Sequence, residues 1–136
     1  MAAFKKFEDI ESWQLAKELS NTIFKIYSTS DLMNDFKLWD QVNGSSGSIM
    51  DNIAEGFDRG SNKEFIQFLF IAKGSSGELR SQLYRMKNRG YIDEHLFDSL
   101  YADSIQIKTK ISGLINYLKN SDIKGYKFAD PEEDYG

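Results

Sequence analysis

The feature that most constrains this chain is a run of 130 residues without proline, along which apolar residues recur at three- and four-residue steps. This spacing places apolar side chains on one face of a helix, and a proline within the run would interrupt it. No stretch of comparable length shows the two-residue alternation of a half-buried strand. The sequence therefore predicts an all-α fold.

Two amphipathic helices are predicted in the first half of the chain. Asp9 is a suitable N-cap for the first helix, which runs to about Thr29. The second occupies residues 31–57, where apolar side chains follow a single helical face. Its predicted core-facing positions are Leu32, Asp35, Trp39, Val42, Ser46, Ile49, Ile53 and Gly56.

Two further helices are predicted in the second half. Ser61 and Glu64 form a capping-box pattern, and the third helix then runs to the stop signal Asn-Arg-Gly at residues 88–90. Asp93 can cap the fourth helix. The core-facing positions are Phe65, Leu69, Ala72, Ser76, Leu79, Leu83 and Met86 in the third helix and Phe97, Leu100, Ser104, Ile107, Ile111, Leu114 and Leu118 in the fourth.

The connections between these helices are short, as they are between antiparallel neighbours in a bundle. We therefore predict an antiparallel up-down-up-down four-helix bundle over residues 1–120. Residues 121–136 form an acidic C-terminal tail with two lysines against five acidic residues. Such a tail is either mobile or docked on the surface of the bundle.

Composition excludes several classes of site. The chain has no cysteine and one histidine, so thiolate metal sites and sites with two imidazoles are ruled out. His95 is expected at the surface, and we expect no catalytic residue, metal or cofactor. The N-terminus lacks the apolar region of a signal peptide and no segment is apolar enough to span a membrane, so a cytoplasmic protein with no membrane partner is expected.

A glycine-serine quartet occurs twice, at residues 44–47 and 74–77. A phosphate-binding loop would need a preceding strand and a closing Lys-Ser or Lys-Thr, which are missing. The two quartets are equidistant from the turn predicted near residue 60, so folding the hairpin brings them side by side. We interpret Gly44, Gly47, Gly74 and Gly77 as positions where small residues let two helices approach closely.

Charge is divided unevenly between the two middle helices. Residues 31–58 hold one basic and six acidic residues, and residues 59–91 hold seven basic and two acidic ones. Lys73, Arg80 and Lys87 share one face of the third helix, with Arg85 and Arg89 near its C-terminal end. This basic stripe could contact the phosphates of RNA or DNA. Alternatively, the basic helix packs beside an acidic one, in the same chain or in a neighbouring copy, and the charges screen each other.

Three carboxylates, Asp51, Glu55 and Asp58, lie at helical spacing near the end of the second helix. They could converge on a hard cation such as Mg²⁺. A solvated acidic face, or pairing with Arg59 and Lys63, accounts for the same spacing without a metal.

Two motifs resemble a known family, the four-helix-bundle proteins encoded within intervening sequences of bacterial 23S ribosomal RNA. Residues 7–16 (FEDIESWQLA) are similar to its Phe-x-Asp-Leu-x-x-Trp-Gln-x-Ala opening. Residues 48–56 (SIMDNIAEG) are similar to its Ser-Ile-x-x-Asn-Ile-Ala-Glu-Gly block, which includes Asn52, Glu55 and Gly56. The resemblance covers roughly residues 4–119.

The resemblance implies a homo-oligomer, in the family a ring of five, with no established enzymatic activity. A related branch, the accessory proteins of diversity-generating retroelements, forms basic rings that bind nucleic acid and a reverse transcriptase. Family members usually carry two basic residues before the Ser-Ile block, where this chain has Asn43 and Gly44. That departure argues against nucleic-acid binding by the second helix. The sequence thus leaves two functions open, a nucleic-acid-binding scaffold and a scaffold for protein-protein contacts alone.

Overall fold

The structure, a computed structural model, describes residues 4–121. Four α-helices account for most of them: α1 Glu11–Thr29, α2 Phe36–Asp58, α3 Asn62–Asn88 and α4 Glu94–Lys119. Short 3-10 turns precede α1 and α2, and no strand occurs within the described range. The all-α prediction is confirmed. Residues 122–136, which hold nearly all of the predicted acidic tail, lie outside the described residues.

Two of the predicted helix starts are confirmed by their caps. The backbone N–H of Glu64 donates to Ser61 Oγ at 3.2 Å, and the N–H of Leu96 donates to Asp93 Oδ1 at 2.8 Å. These bonds satisfy N–H groups that have no partner inside the first turn of a helix.

The predicted starts of the first two helices are wrong. Asp9 belongs to a 3-10 turn and its carboxylate accepts from the N–H of Lys5 at 3.1 Å, so α1 begins after it, at Glu11. Residues 31–34 form a second 3-10 turn, and α2 begins only at Phe36, where Asp35 is the N-cap. The N-cap of α1 is Ile10, whose side chain cannot accept a hydrogen bond, whereas before α2 both Asp31 and Asp35 are residue types that could cap the helix.

The core follows the predicted helix faces closely in α3 and α4, where every predicted core-facing position is buried. In α2 the agreement starts at Val42. Asp35 and Trp39 were predicted to face the core, but Asp35 caps the helix and Trp39 lies at the surface edge of the core, while Leu38 is buried. The later start of α2 explains this difference.

The helices pack in the order α1, α2, α3, α4, with α4 returning to α1. At one end of the α2/α3 contact, Asp35 at the start of α2 pairs with Arg89 after the end of α3. At the other end, Gly56 near the end of α2 lies close to Phe68 near the start of α3. These two helices therefore run in opposite directions. The four-helix bundle is confirmed, while the up-down order of the whole bundle stays a prediction. No helix within residues 4–121 combines the length and apolarity needed to cross a membrane.

Candidate nucleic-acid interface

The five candidate basic residues lie on two different sides of α3. Lys73, Arg80 and Lys87 lie on the side of α4, where Arg80 and Lys87 contact residues of that helix. Arg85 and Arg89 contact residues on the side of α2. The predicted stripe of Lys73, Arg80 and Lys87 therefore lies beside α4, while Arg85 and Arg89 lie beside α2 and do not extend it.

Arg80 joins α3 to α4 at a point where both helices present serine. Its Nη1 donates to Ser104 Oγ at 3.0 Å and to Ser76 Oγ at 3.2 Å. Ser104 Oγ in turn donates to the Ser76 carbonyl oxygen at 3.2 Å. Both serines are fully buried. The guanidinium therefore contributes to helix packing, and only part of it is available to an external phosphate.

Lys87 and Lys73 lie beside aromatic rings. Lys87 Nζ is 4.2 Å from the centroid of the Phe97 ring and 3.5 Å from the Glu94 carboxylate. Lys73 Nζ is 6.0 Å from the centroid of the Phe70 ring. A cation above a ring face is attracted by the ring quadrupole. This side of α3 is thus a surface of alternating cations and aromatic rings.

The other two basic residues pair with α2. Arg85 Nη2 donates to Gln41 Oε1 at 2.7 Å. Arg89 Nη1 donates to Asp35 Oδ2 at 2.7 Å, and the Tyr91 hydroxyl donates to the same oxygen at 2.7 Å. The pairing of basic α3 with acidic α2 inside one chain matches the charge-screening interpretation at this end of the bundle.

The charged form of the Asp35 carboxylate is stabilised by its two side-chain donors. Hydrogen bonds from Tyr91 and then Arg89 lower the pKa of Asp35 below its usual value of 3.8, because both donors stabilise the charged form. The same bond raises the pKa of Tyr91 above its usual value of 10, since ionisation would remove the donor and place two negative charges together.

Replacing Asp35 with asparagine is therefore expected to lower the thermal unfolding midpoint near neutral pH. A lowered folded-state pKa gives stability that is present above the usual aspartate value and is lost as the pH falls below it. The difference in midpoint between wild type and Asp35→Asn should shrink as the pH is lowered towards 3. Asp40→Asn, at an exposed position on the same helix, is the control; a difference independent of pH would contradict the assignment.

The Asn52-Glu55-Gly56 block at the end of α2 has three separate structural roles. Asn52 Nδ2 donates to the Ser48 carbonyl oxygen at 2.8 Å and to Ser48 Oγ at 2.9 Å. Ser48 Oγ is also 2.9 Å from Ser75 Oγ on α3, so Asn52 supports a hydroxyl that bridges two helices. The Glu55 carboxylate is 3.0 Å from Arg59 at an exposed position.

At Gly56, α2 lies in tight contact with α3. A Cβ added at this glycine would lie 2.6 Å from the Cβ of Phe68 and 3.0 Å from Cδ1 of Phe65. Real Cβ atoms are not found at the shorter of these distances. Glycine is needed here because a methyl group does not fit between the helices.

The interpretation of the quartet glycines as a close helix crossing is wrong. A Cβ at Gly44, Gly47 or Gly74 would meet no atom within 4 Å, and at Gly77 it would meet only the flexible end of Arg80 at 3.4 Å. The serines of the quartets face inward instead: Ser45, Ser46, Ser75 and Ser76 are buried. The helical phase turns the hydroxyls to the interface and the glycines away from it.

Ser45 and Ser75 make side-chain hydrogen bonds between the middle helices, Ser75 with Ser48 and Ser45 with Gln82. Ser45 Oγ donates to Gln82 Oε1 at 2.5 Å, with both residues buried. The Val42 carbonyl oxygen, 3.2 Å from Ser45 Oγ, is an alternative acceptor for the same hydroxyl proton. Buried polar groups that are paired in this way fix the register of two helices. The quartets are thus part of a polar contact within the bundle.

The acidic side chains do not form a cation site in the described region. Within residues 4–121, no three Asp, Glu or His side chains converge closely enough to hold a metal ion. Asp51, Glu55 and Asp58 are all exposed along the end of α2. His95 is exposed in the first turn of α4.

A different carboxylate, Asp103 on α4, lies beside Glu18 in a groove of about 200 Å³ between α1 and α4. Burial and then repulsion from Glu18 raise the pKa of Asp103 above 3.8.

A raised folded-state pKa of Asp103 means that stability is lost as the pH rises through it. Asp103→Asn is therefore expected to raise the thermal midpoint at pH 7 slightly, and less at pH 4. Asp98→Asn on the same helix is the control, and a lowered midpoint for Asp103→Asn would contradict this.

Sequence reasoning missed two features. The bridging role of Asp35 depends on Arg89 and Tyr91, which are more than 50 positions away. The exposed aromatic residues Phe24 and Tyr84 were also missed, because each lies beside a predicted core stripe without belonging to it. The sequence did carry a signal for the hydrogen bond between Ser45 and Gln82, because Gln82 lies next to the predicted core position Leu83.

Comparison with known proteins places the chain in a family. The model of the 23S rRNA-intervening sequence protein family matches residues 8–113. A crystal structure from Bacteroides thetaiotaomicron, described as a protein with unknown function from the S23 ribosomal protein family, is 26% identical, with a TM-score of 0.68. The alignment covers 76% of this chain and 97% of that one. No curated protein matches the chain. Since the family match extends over most of the sequence, the chain belongs to the 23S rRNA-intervening sequence protein family.

Proposed function

We propose that this protein is a non-catalytic cytoplasmic scaffold that associates with copies of itself and works through protein-protein contacts. The observation that carries the proposal is a set of large apolar side chains left at the surface, led by Phe36, Phe24, Ile71 and Tyr84. Two of them belong to clusters of aromatic rings, Phe24 with Tyr27 and Trp39, and Tyr84 with Phe97 and Tyr101. Exposed apolar clusters are typical of interaction surfaces. The family resemblance, which implies a ring of five, agrees with such surfaces being covered in an assembly.

The mass in solution tests this proposal. Light scattering coupled to size-exclusion chromatography should give a multiple of the 15.6 kDa chain mass, and a ring of five gives five times that value. Because apolar contacts persist in salt, the assembly should survive moderate ionic strength. A mass of 15.6 kDa at micromolar to millimolar concentration would overturn the proposal.

Nucleic-acid binding is a second candidate, favoured by the mixture of cations and rings on the α4 side of α3. Lys73 lies beside Phe70, and Lys87 lies beside Tyr84 and Phe97. Proteins that bind single strands combine cationic contacts to phosphates with aromatic stacking on bases. The partial use of Arg80 and Lys87 in contacts within the chain makes this the weaker candidate.

Binding of single-stranded RNA and DNA, measured by fluorescence anisotropy at low and moderate salt, tests the second candidate. Lys73→Ala/Lys87→Ala should weaken binding and reduce its salt dependence. Lys25→Ala/Lys37→Ala removes two exposed lysines from the other half of the chain and is the matched control. No binding at about 50 mM salt would eliminate this candidate.

A further inference from the structure

The groove between α1 and α4 is the least closely packed seam between neighbouring helices. α1 packs on α4 less extensively than on α2, and less than α3 packs on either of its neighbours. Two cavities of about 200 and 490 Å³ follow one another along this α1/α4 groove. The larger cavity lies towards the end of α4 and has a mostly apolar lining that includes Phe4, Ile10, Leu114 and Tyr117. Apolar surface of this kind is typically covered by a partner or by another segment of the chain.

The α1/α4 groove also carries carboxylates that no basic side chain neutralises. Glu11 pairs with Lys110, with 3.1 Å between its carboxylate oxygen and Nζ. Asp9, Glu18 and Asp103 also line the groove, and none of them forms an ion pair within residues 4–121. Burial and then the Glu18 carboxylate raise the pKa of Asp103, a shift that a nearby cation would oppose. The groove therefore favours an occupant that has basic as well as apolar side chains.

The sequence that follows α4 contains a segment with this composition. α4 ends at Lys119, and the chain continues through residues 122–136. Residues 123–128 (IKGYKF), the basic-apolar segment, hold three large apolar side chains and two lysines, with no acidic residue. Residues 129–136 hold four acidic residues and no basic one, so the carboxylates of the groove would repel them. The basic-apolar segment alone is complementary to the groove in both polarity and charge.

The basic-apolar segment is close enough along the chain to reach the larger cavity. Gly113, which lines that cavity, is eight residues before Ser121. At about 1.5 Å per helical residue, the two lie roughly 12 Å apart along the axis of α4. An extended chain covers about 3.3 Å per residue, so residues 123–128 can reach roughly 7 to 23 Å from Ser121. A segment tethered beside its groove has a high effective concentration there, so weak contacts are sufficient to hold it.

We propose that residues 123–128 fold back into the α1/α4 groove of their own chain. Ile123, Tyr126 and Phe128 then contact the apolar lining, and Lys124 and Lys127 face the carboxylates of the groove. This docking goes beyond the proposed self-association and does not depend on it. The segment joins the last helix to the first at the seam where the helices pack least, and the acidic residues 129–136 stay outside the groove.

Disulfide formation between two introduced cysteines tests this docking in the full chain. The protein has no cysteine of its own, so one pair reports one contact. Gly113→Cys places a thiol in the groove, where an added Cβ meets no atom within 4 Å. Gly125→Cys places the other thiol in the segment without removing an apolar or basic side chain. We expect this groove pair to close within one chain roughly tenfold faster, or more, than a control pair.

The control pair is Gln67→Cys with Gly125→Cys. Gln67 is exposed on α3, five residues after the start of that helix, and Gly113 is six residues before the end of α4. Asn62 Nδ2 donates to the Leu118 carbonyl oxygen at 3.4 Å, so the start of α3 and the end of α4 lie at the same height. A segment that only moved over the surface near the end of α4 would form both disulfides at similar rates.

Substitutions in the segment separate docking from proximity. In the groove pair, Tyr126→Ser/Phe128→Ser removes apolar contacts and should slow closure to about the rate of the control pair. Lys124→Glu/Lys127→Glu should do the same, because it places carboxylates beside those of the groove. Tyr135→Ser, which removes an aromatic ring outside the segment, should leave the rate unchanged. The same substitutions in the control pair correct for their effect on thiol reactivity.

Non-reducing denaturing gels and mass spectrometry show which chains each disulfide joins. Docking within one chain gives a linked product with the mass of a single chain. Equal rates for the two pairs, or a groove pair that the substitutions leave unaffected, would overturn the proposal. A disulfide joining two chains would also overturn it, because the segment would then occupy the groove of another copy. Thr109→Cys, an exposed position of the same cavity, replaces Gly113→Cys if circular dichroism shows lost helicity.

Discussion

Replacing Gly56 with alanine is expected to lower the free energy of unfolding by roughly 1–3 kcal/mol. The added Cβ would lie 2.6 Å from the Cβ of Phe68, a backbone-anchored atom that cannot rotate away. Relieving this overlap requires α2 and α3 to separate, which loosens the packing around Phe65 and Ile53, both fully buried. Urea or guanidinium denaturation followed by circular dichroism measures the change.

The effect at Gly56 opposes the intrinsic preference of a helix. Alanine in a helix interior is favoured over glycine by about 1 kcal/mol, so the same substitution at an open position stabilises. Gly44→Ala and Gly74→Ala are matched controls, since an added Cβ there meets no atom within 4 Å. We expect both to raise stability by about 0.5–1 kcal/mol. Stabilisation at Gly56 as well would show that α2 and α3 are not in close contact there.

Replacing Ser104 with leucine is expected to have a similar or larger effect, a loss of roughly 1–3 kcal/mol or more. Ser104 is fully buried against Ser76 where α3 and α4 cross, and a leucine side chain has no space there. The substitution also removes one of the acceptors of Arg80 and leaves the buried carbonyl of Ser76 without its hydroxyl donor.

Two comparisons separate these causes. Ser104→Ala removes the hydrogen bonds without adding volume and should cost about 1 kcal/mol. Ser99→Leu introduces the same side chain at an exposed position of α4 and should change stability by less than about 0.5 kcal/mol. Equal effects of Ser104→Leu and Ser99→Leu in chemical denaturation would show that the α3/α4 crossing tolerates a large side chain.

Most of the fold was predictable from sequence because helical phase depends on local spacing. In α3 and α4 the apolar steps of four and three continue over many turns, so the buried face and the caps at Ser61 and Asp93 were identified. The start of α2 was not, because Asp31 and Asp35 are both suitable N-caps and a 3-10 turn separates them. Local sequence does not distinguish these alternatives; the contacts of Asp35 with Arg89 and Tyr91 favour the later start.

The candidate site was less predictable, because its properties depend on side chains from other helices. A count of charges places five basic residues on α3, but it does not show that Arg80 is bonded to Ser104 or that Arg89 is paired with Asp35. The sequence showed which residues are small but not which way they face. Gly44 and Gly74 face outward, and of the glycines in α2 and α3 only Gly56 makes a tight contact with the neighbouring helix. Such distinctions require the relative rotation of two packed helices.

The carboxylate of Asp35 also affects how the bundle opens. It caps the first turn of α2 and holds both Arg89 at the end of α3 and Tyr91 in the following connection. These three segments share one acceptor, so none of them frays without breaking bonds that order the others. Amide protons in the first turn of α2 and the last turn of α3 should therefore exchange with solvent as one cooperative unit, and this end of the bundle has a common local unfolding energy.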